Sequence, residues 1–397
     1  MRRILPLLLA LLWVGRAQAQ VDESDLRVFG YFQNIWYYQK TTKNDGSEQK
    51  LDSFSVQQLN LFLQRDLARR WTAFINFEAL NSYSSLRNWG SFNLEEAWVK
   101  YRFGRRLSIK LGQHVPPFNN LNEIKNRTPL LPYIVRPLVY ESSFSEFIAI
   151  EDYTPARAYA QVYGFQPRGR AKIDYAFYVG NSPEINDQVN HDVAQRGIDV
   201  TDNYLVGGRI GLRCDEWKVG LSATVDQVKD AKSYFARIEG DFTTDELDAL
   251  FAALKKPVGE ISRWRWGSDL SFRLGKFSFE GETIHAGYND NVKALKLDRN
   301  FNYATVGYHH SEALFLYASY QTEEDEFTRF DEAEGGIYHV EVDIDLPSVG
   351  FAYRLNDRIT FKGQYEPVHI DVEFSSRTYE VEDQDLDYVG AAVSIVF

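Results

Sequence analysis

From about residue 26 to Phe397, apolar and polar side chains alternate in short stretches, and two kinds of connection join the stretches in turn. One is a tight turn, as at 104–106, 214–216, 275–276 and 356–357. The other is a longer polar segment, as at 40–52, 181–202, 227–261 and 287–300. A period of two sorts side chains onto two faces of a strand. Alternation of the connections sorts the long segments onto one end of the sheet and the short turns onto the other. A sheet closed on itself across a membrane has two unlike rims of this kind. The pattern therefore predicts an all-β chain, a transmembrane barrel with both termini on the short-turn side.

Sixteen strands can be marked. The clearest is 263–274, where Trp264, Trp266, Leu270, Phe272 and Leu274 alternate with Arg263, Arg265, Asp269 and Arg273. In 96–103, Ala97, Val99, Tyr101 and Phe103 oppose Glu96, Lys100 and Arg102. Indoles on an outward face suit a lipid headgroup layer better than water. The stretch 336–355 is long and interrupted by Pro347, which suits an edge or a bulge better than a central ladder position. The remaining strands fall at about 26–39, 53–65, 71–79, 107–114, 156–166, 171–179, 203–213, 217–226, 276–287, 301–310, 313–322, 358–370 and 385–397. The segment 244–257 reads as one short helix inside a loop, capped at Thr244 and closed by Pro257.

The first nineteen residues have the form of a secretory signal: Arg2 and Arg3, an apolar run from Ile4 to Val14, then Ala17-Gln18-Ala19. That run is shorter than the ~20 residues a membrane helix needs. Residues 20–397 are then the mature barrel, exported to the bacterial outer membrane. The whole chain carries 44 basic and 56 acidic residues, net −12, and loss of Arg2, Arg3 and Arg16 with the signal makes this −15. Nucleic-acid binders show a basic footprint, so that class is excluded. The single cysteine, Cys214, supports neither an intrachain disulfide nor a thiolate metal cluster. No cofactor or metal is expected, and the acidic run Glu323–Glu326 reads as a solvated face.

A barrel of this strand number encloses an aqueous channel unless something folds inward. The candidate is the longest connection, 115–155, which is the third long loop. It carries Pro116-Pro117, Pro129, Pro132 and Pro137, and the apolar set Leu130, Leu131, Tyr133, Ile134 and Val135. Prolines limit unfolded freedom, and apolar residues need a surface to pack on. This loop is expected to dip into the lumen and present Glu123, Lys125, Arg127, Arg136 and Glu141 as a constriction. On the wall, Lys100, Arg209, Arg263, Arg265 and Asp269 are the candidate pore-lining charges. Counted by parity, Lys100, Arg102, Lys110, Lys172, Arg209, Arg213, Arg263, Arg265 and Arg273 slightly outnumber the inward carboxylates Glu78, Glu96, Asp174, Asp226, Asp269, Glu280 and Glu282. Arginine ladders set anion selectivity. Pairing of the same arginines with carboxylates across strands is an equally good reading.

The signal, the sixteen-strand rhythm, the terminal phenylalanine and the long loop after strand five together resemble bacterial trimeric porins. Within that group, Leu111-Gly112-Gln113-His114-Val115-Pro116-Pro117-Phe118 and Arg136-Pro137-Leu138-Val139-Tyr140-Glu141 resemble segments of the phosphate-selective porin family. The resemblance implies a passive diffusion pore for small hydrophilic solutes or ions, a homotrimer, and a preference for anions. Outer-membrane lipid and lipopolysaccharide are its expected surroundings. Two alternatives stay open. A sugar-type substrate-specific porin would use inward aromatics such as Trp98, Tyr159 and Tyr178 as stacking platforms. A barrel enzyme would need His309-His310-Ser311 to act without an evident third, orienting group.

Overall fold

Alternation of side chains around a closed ladder gives the architecture directly. A computed structural model describes residues 26–43, 45–80, 91–125, 127–140, 154–155, 157–181, 204–228, 261–289, 298–331, 336–374 and 382–397. Sixteen antiparallel strands, each paired with its sequence neighbours and the first with the last, form one closed barrel. They are β1 (Arg27–Lys43), β2 (Glu48–Ala68), β3 (Trp71–Leu80), β4 (Ser91–Arg102), β5 (Leu107–His114), β6 (Ala158–Arg168), β7 (Ala171–Gly180) and β8 (Leu205–Arg213). The rest are β9 (Trp217–Val228), β10 (Ile261–Leu274), β11 (Phe277–Asn289), β12 (Asp298–His309), β13 (Leu314–Asp331), β14 (Gly336–Arg354), β15 (Ile359–Phe374) and β16 (Glu382–Val396). The proposed signal and the helix at 244–257 lie outside the described residues.

The two faces are as unlike as the parity demands. On β10, Trp266 is 46% exposed on the outside while Arg263 and Arg265 are 0% and 1% exposed on the inside. Phe177, Ile210, Leu221 and Val225 likewise sit on the outer surface. An apolar exterior around a polar interior suits a bilayer, and closing the ladder leaves no edge strand with unpaired backbone groups facing lipid.

Two expectations about the connections change, and one about a strand. The segment 40–52 is a hairpin rather than a long loop. β1 runs to Lys43 and β2 starts at Glu48, and Gly46 takes a left-handed φ of 75°. There Asp45 accepts a hydrogen bond from the Ser47 amide at 2.8 Å, the self-capping Asp-Gly turn. The strands continue as a polar ribbon above the membrane, where alternation of apolar and polar residues no longer marks them. The same holds for β13: Glu323 and Asp325 point inward and are buried, while Glu324 is exposed outside. The acidic run is thus split between two faces.

Pro347 marks neither an edge nor a bulge. β14 pairs with β15 at Asp345↔His369 and again at Val349↔Tyr365 in one register, with a gap between. That register sets Pro347 opposite Pro367, and neither ring nitrogen can donate to the other strand. On their other sides the two prolines pair with Tyr320 and Asp387.

Candidate functional site

Between β5 and β6 the described residues form no strand and are held by the wall. Its first descent is fixed by β9 and β11: the Asn119 amide donates to Ser222 Oγ at 2.9 Å, and the Asn120 and Leu121 amides donate to Glu282 Oε1 at 2.8 and 2.9 Å. Glycine at 267 allows the close approach, because a Cβ there would lie 2.6 Å from the Asn119 side chain. Farther on, Gln364 Oε1 of β15 accepts from the Ile134 and Val135 amides at 2.7 and 2.9 Å, and Gln321 of β13 from Leu138 at 2.8 Å. Lys362 donates to the Thr128 and Tyr133 carbonyls, and Gln57 of β2 to the Ile134 carbonyl. These wall side chains do what a neighbouring strand would otherwise do for the loop backbone.

Apolar packing accompanies the polar sockets. Phe118, Leu121, Ile134, Val135, Leu138, Val139 and Tyr140 form one buried cluster with Ile284, Phe301, Ile344, Leu346, Val368, Ile370 and Leu386 of the wall. Burying each large side chain contributes roughly 1.5–3 kcal/mol. The Tyr140 hydroxyl donates to Glu282 Oε2 at 2.6 Å. Burial, reinforced by that carboxylate, holds the hydroxyl well above its ordinary range, so it remains a donor. Burial and Glu280 do the same for Tyr133, which donates to Glu280. The third loop is therefore inside the barrel, seated against the wall from β9 round to β16 and onto β2. Beneath it, two recesses of about 400 Å³ each open toward the short-turn rim, one reaching Pro129, Leu131 and Arg358, the other Leu131, Lys218 and Arg273.

The expected constriction residues separate. Glu123 and Arg127 are exposed at the free edge of the loop, and Lys125 is half-buried beside them. Arg136 is 4% exposed and donates to the Lys125 carbonyl, so it braces the loop instead of facing the bore. Its guanidinium is the group that closes the loop's return, which a one-dimensional reading cannot distinguish from a pore charge. Glu141 lies outside the described residues.

The wall charges separate as well. Arg263 meets Asp226 through two hydrogen bonds of 2.8 and 2.7 Å, and Arg265 reaches the same carboxylate at 3.2 Å and Thr224 at 3.3 Å. Arg209 grips Asp269 at 2.7 Å. The side chains of Arg263, Arg265, Asp226 and Asp269 are fully buried there. An anion cannot be handed along guanidiniums that are already engaged and covered, so the ladder along β10 is replaced by cross-strand ion pairs.

The other side of the lumen differs. Lys100 on β4 and Lys110 on β5 face each other directly across the ladder. Among the described residues neither forms an ion pair. Their ammonium groups stand 5.8 and 5.0 Å from the Trp98 ring centroid, and Lys110 is 5.8 Å from that of Tyr163. Trp98, Lys100, Tyr159 and Tyr163 are half-buried, whereas Tyr178 is fully buried. The open bore thus runs between the loop edge at Glu123–Arg127 and the wall of β4–β6. Sequence parity placed Lys110 and Trp98 inward but could not show that Lys100 and Lys110 would face each other with no ion pair among the described residues.

Of a row of inward rings, the sequence pointed only to Trp98. Tyr31, Phe62, Phe74 and Trp98 lie on four consecutive strands with centroid separations of 5.2, 5.6 and 4.8 Å. Above it, Gln58 bonds Asn60 and Glu78, and Asn60 bonds Asn76. Inward parity of Phe62 and Phe74 was the available signal.

A sixteen-stranded closed barrel narrowed by its own third loop is a diffusion channel of the outer membrane. The chain belongs to the Gram-negative porin family, whose model matches residues 8–371. The family makes it a channel for passive diffusion and not an enzyme. No curated protein matches the chain by sequence. Similar solved structures include the outer membrane channel DcaP of Acinetobacter baumannii, at TM-score 0.56 and 12% identity, covering 94% of this chain and 97% of that one. The anion-selective porin from Comamonas acidovorans gives 0.55 and 12%, covering 94% and 100%. The trimer form of Vibrio cholerae OmpT gives 0.51 and 9%, covering 95% and 100%.

Proposed function

We propose that this porin favours anions, and that the preference is set on the β4–β6 side of the lumen by Lys100, Arg102 and Lys110 together with Arg127 of the loop. The observation that carries this is the inequality of the two sides: Arg209, Arg263 and Arg265 across the lumen are held by Asp226 and Asp269 with little or no exposure, while Lys100 and Lys110 stand opposite each other and form no ion pair among the described residues. Charged rings at a narrow point decide which ions enter, and only uncompensated charge counts. The likeness of 111–118 to phosphate-selective porins agrees in sign, and phosphate is among the anions to be tested. A homotrimer in lipid and lipopolysaccharide is the expected assembly, in keeping with the trimer form of the Vibrio cholerae relative.

Reversal potentials across a planar bilayer in a potassium chloride gradient test the charge preference. A potential of the sign that chloride carries supports it; a potassium-type potential rejects it. Closure of one inserted particle in three equal conductance steps is expected of the trimer.

A further inference from the structure

We infer that Trp98, with Lys100 and Lys110, forms a subsite for planar aromatic carboxylates on the turn side of the loop. This rests on the anion-preferring reading of the same wall and names the solute class it would take.

Like charges placed directly opposite on adjacent strands repel and destabilise the ladder, yet Lys100 and Lys110 occupy such a pair. Arg102 lies close enough to act on Lys100 as well. Among the described carboxylates, Asp66 acts on Lys100 and Glu96 on Lys110. Neither closes an ion pair with these lysines, and Glu96 is occupied by the Trp98 indole, which donates to it at 2.9 Å. An anion between the two ammonium groups would relieve the repulsion that the wall itself leaves standing.

The ring beside the cations gives the site its second property. Trp98 is stacked on Phe74 at 4.8 Å and 23°, and Phe74 on Phe62 at 5.6 Å and 27°. Such backing fixes the indole plane, so a solute ring can meet it without the cost of ordering it. Trp98 is the half-buried end of this row, while Tyr31, Phe62 and Phe74 are buried. Tyr163 stands on the other side of Lys110. A flat ring whose carboxylate reaches the lysines can lie against Trp98 or Tyr163. A saturated ring of the same charge keeps the ionic contact but loses the stacked one.

The test uses the full-length porin in planar bilayers at pH 8, where both test acids are ionised. Permeabilities of benzoate and cyclohexanecarboxylate are obtained from bi-ionic reversal potentials against chloride. Benzoate is expected to exceed cyclohexanecarboxylate by about threefold to tenfold, the range aromatic pairing supplies. In Trp98→Leu the ratio is expected to fall to about one. Equal permeabilities in the wild type overturn the inference while chloride still outruns potassium, as does a benzoate advantage that survives Trp98→Leu. If potassium outruns chloride in the same membranes, the anion reading falls first. Should Trp98→Leu fail to assemble, the wild-type ratio alone decides.

Discussion

The lumen has two sides made by opposite rules. From β9 round to β16, inward polar groups are spent on structure: Asp226 and Asp269 on arginines, Glu282, Gln321 and Gln364 on loop amides. Along β4–β6, inward cations meet rings, with Lys100 half-buried and Lys110 only 9% exposed. The first side would be costly to alter, because removing one member of a buried set strands the others. The second can change its charge without unseating anything. Rigidity and selectivity are thereby assigned to different strands of a single sheet.

The sharpest way to break this division is Asp226→Ala, which removes the carboxylate that buried Arg263 and Arg265 share. We expect a loss of about 3–5 kcal/mol, read as a lowered temperature of gel-shift unfolding in detergent. Unchanged stability would mean the arginines already face water. Next comes Ile134→Asp, which places a carboxylate in the fully buried loop core. Release of the loop should raise single-channel conductance at least about twofold, with a loss of roughly 2–5 kcal/mol of loop packing. A channel of wild-type conductance would show that the loop does not narrow the bore.

The combined Lys100→Glu and Lys110→Glu change addresses the other side. It should reverse the sign of the reversal potential, a change of roughly tenfold or about 1.4 kcal/mol in ion preference, and any loss of thermal stability should come from Lys110, which is only 9% exposed, and not from half-buried Lys100. The smallest effect is expected from Arg127→Gln, because an exposed charge is screened. Anion preference should drop about twofold in dilute salt and be nearly unaltered at high salt. An Arg127 effect that persists in concentrated salt would place it in a drier setting than its exposure indicates.

Much of this was legible in one dimension. Parity divided β10 into indoles and guanidiniums, and proline with apolar content singled out the inward loop. Register was not legible. Whether Arg263 meets Asp226 depends on how β9 and β10 align across the 229–260 connection, which their alternation does not encode. The same ignorance hid the Lys100–Lys110 opposition. Aromatic content misled in a different way: rings belong by default to the membrane girdles, so Phe62 and Phe74 on the inner face went unnoticed. The polar ribbon at 40–52 reads as a loop because both of its faces meet water, and a strand wet on both sides has no hydropathic signature; in β13 the run is acidic on both faces, so nothing in it marks Glu323 and Asp325 as the buried side. Asn44-Asp45-Gly46 was the remaining clue to a hairpin.

A cylinder of paired strands has no frayed margin from which to come apart, so its first breach has to lie within the fabric. Pro347 beside Pro367 supplies a missing stitch between β14 and β15. Deuterium uptake across that seam would then start at the amides that flank it, Asp345 and Val349 on one strand and Tyr365 and His369 on the other, and mechanical pulling would open the wall along that line.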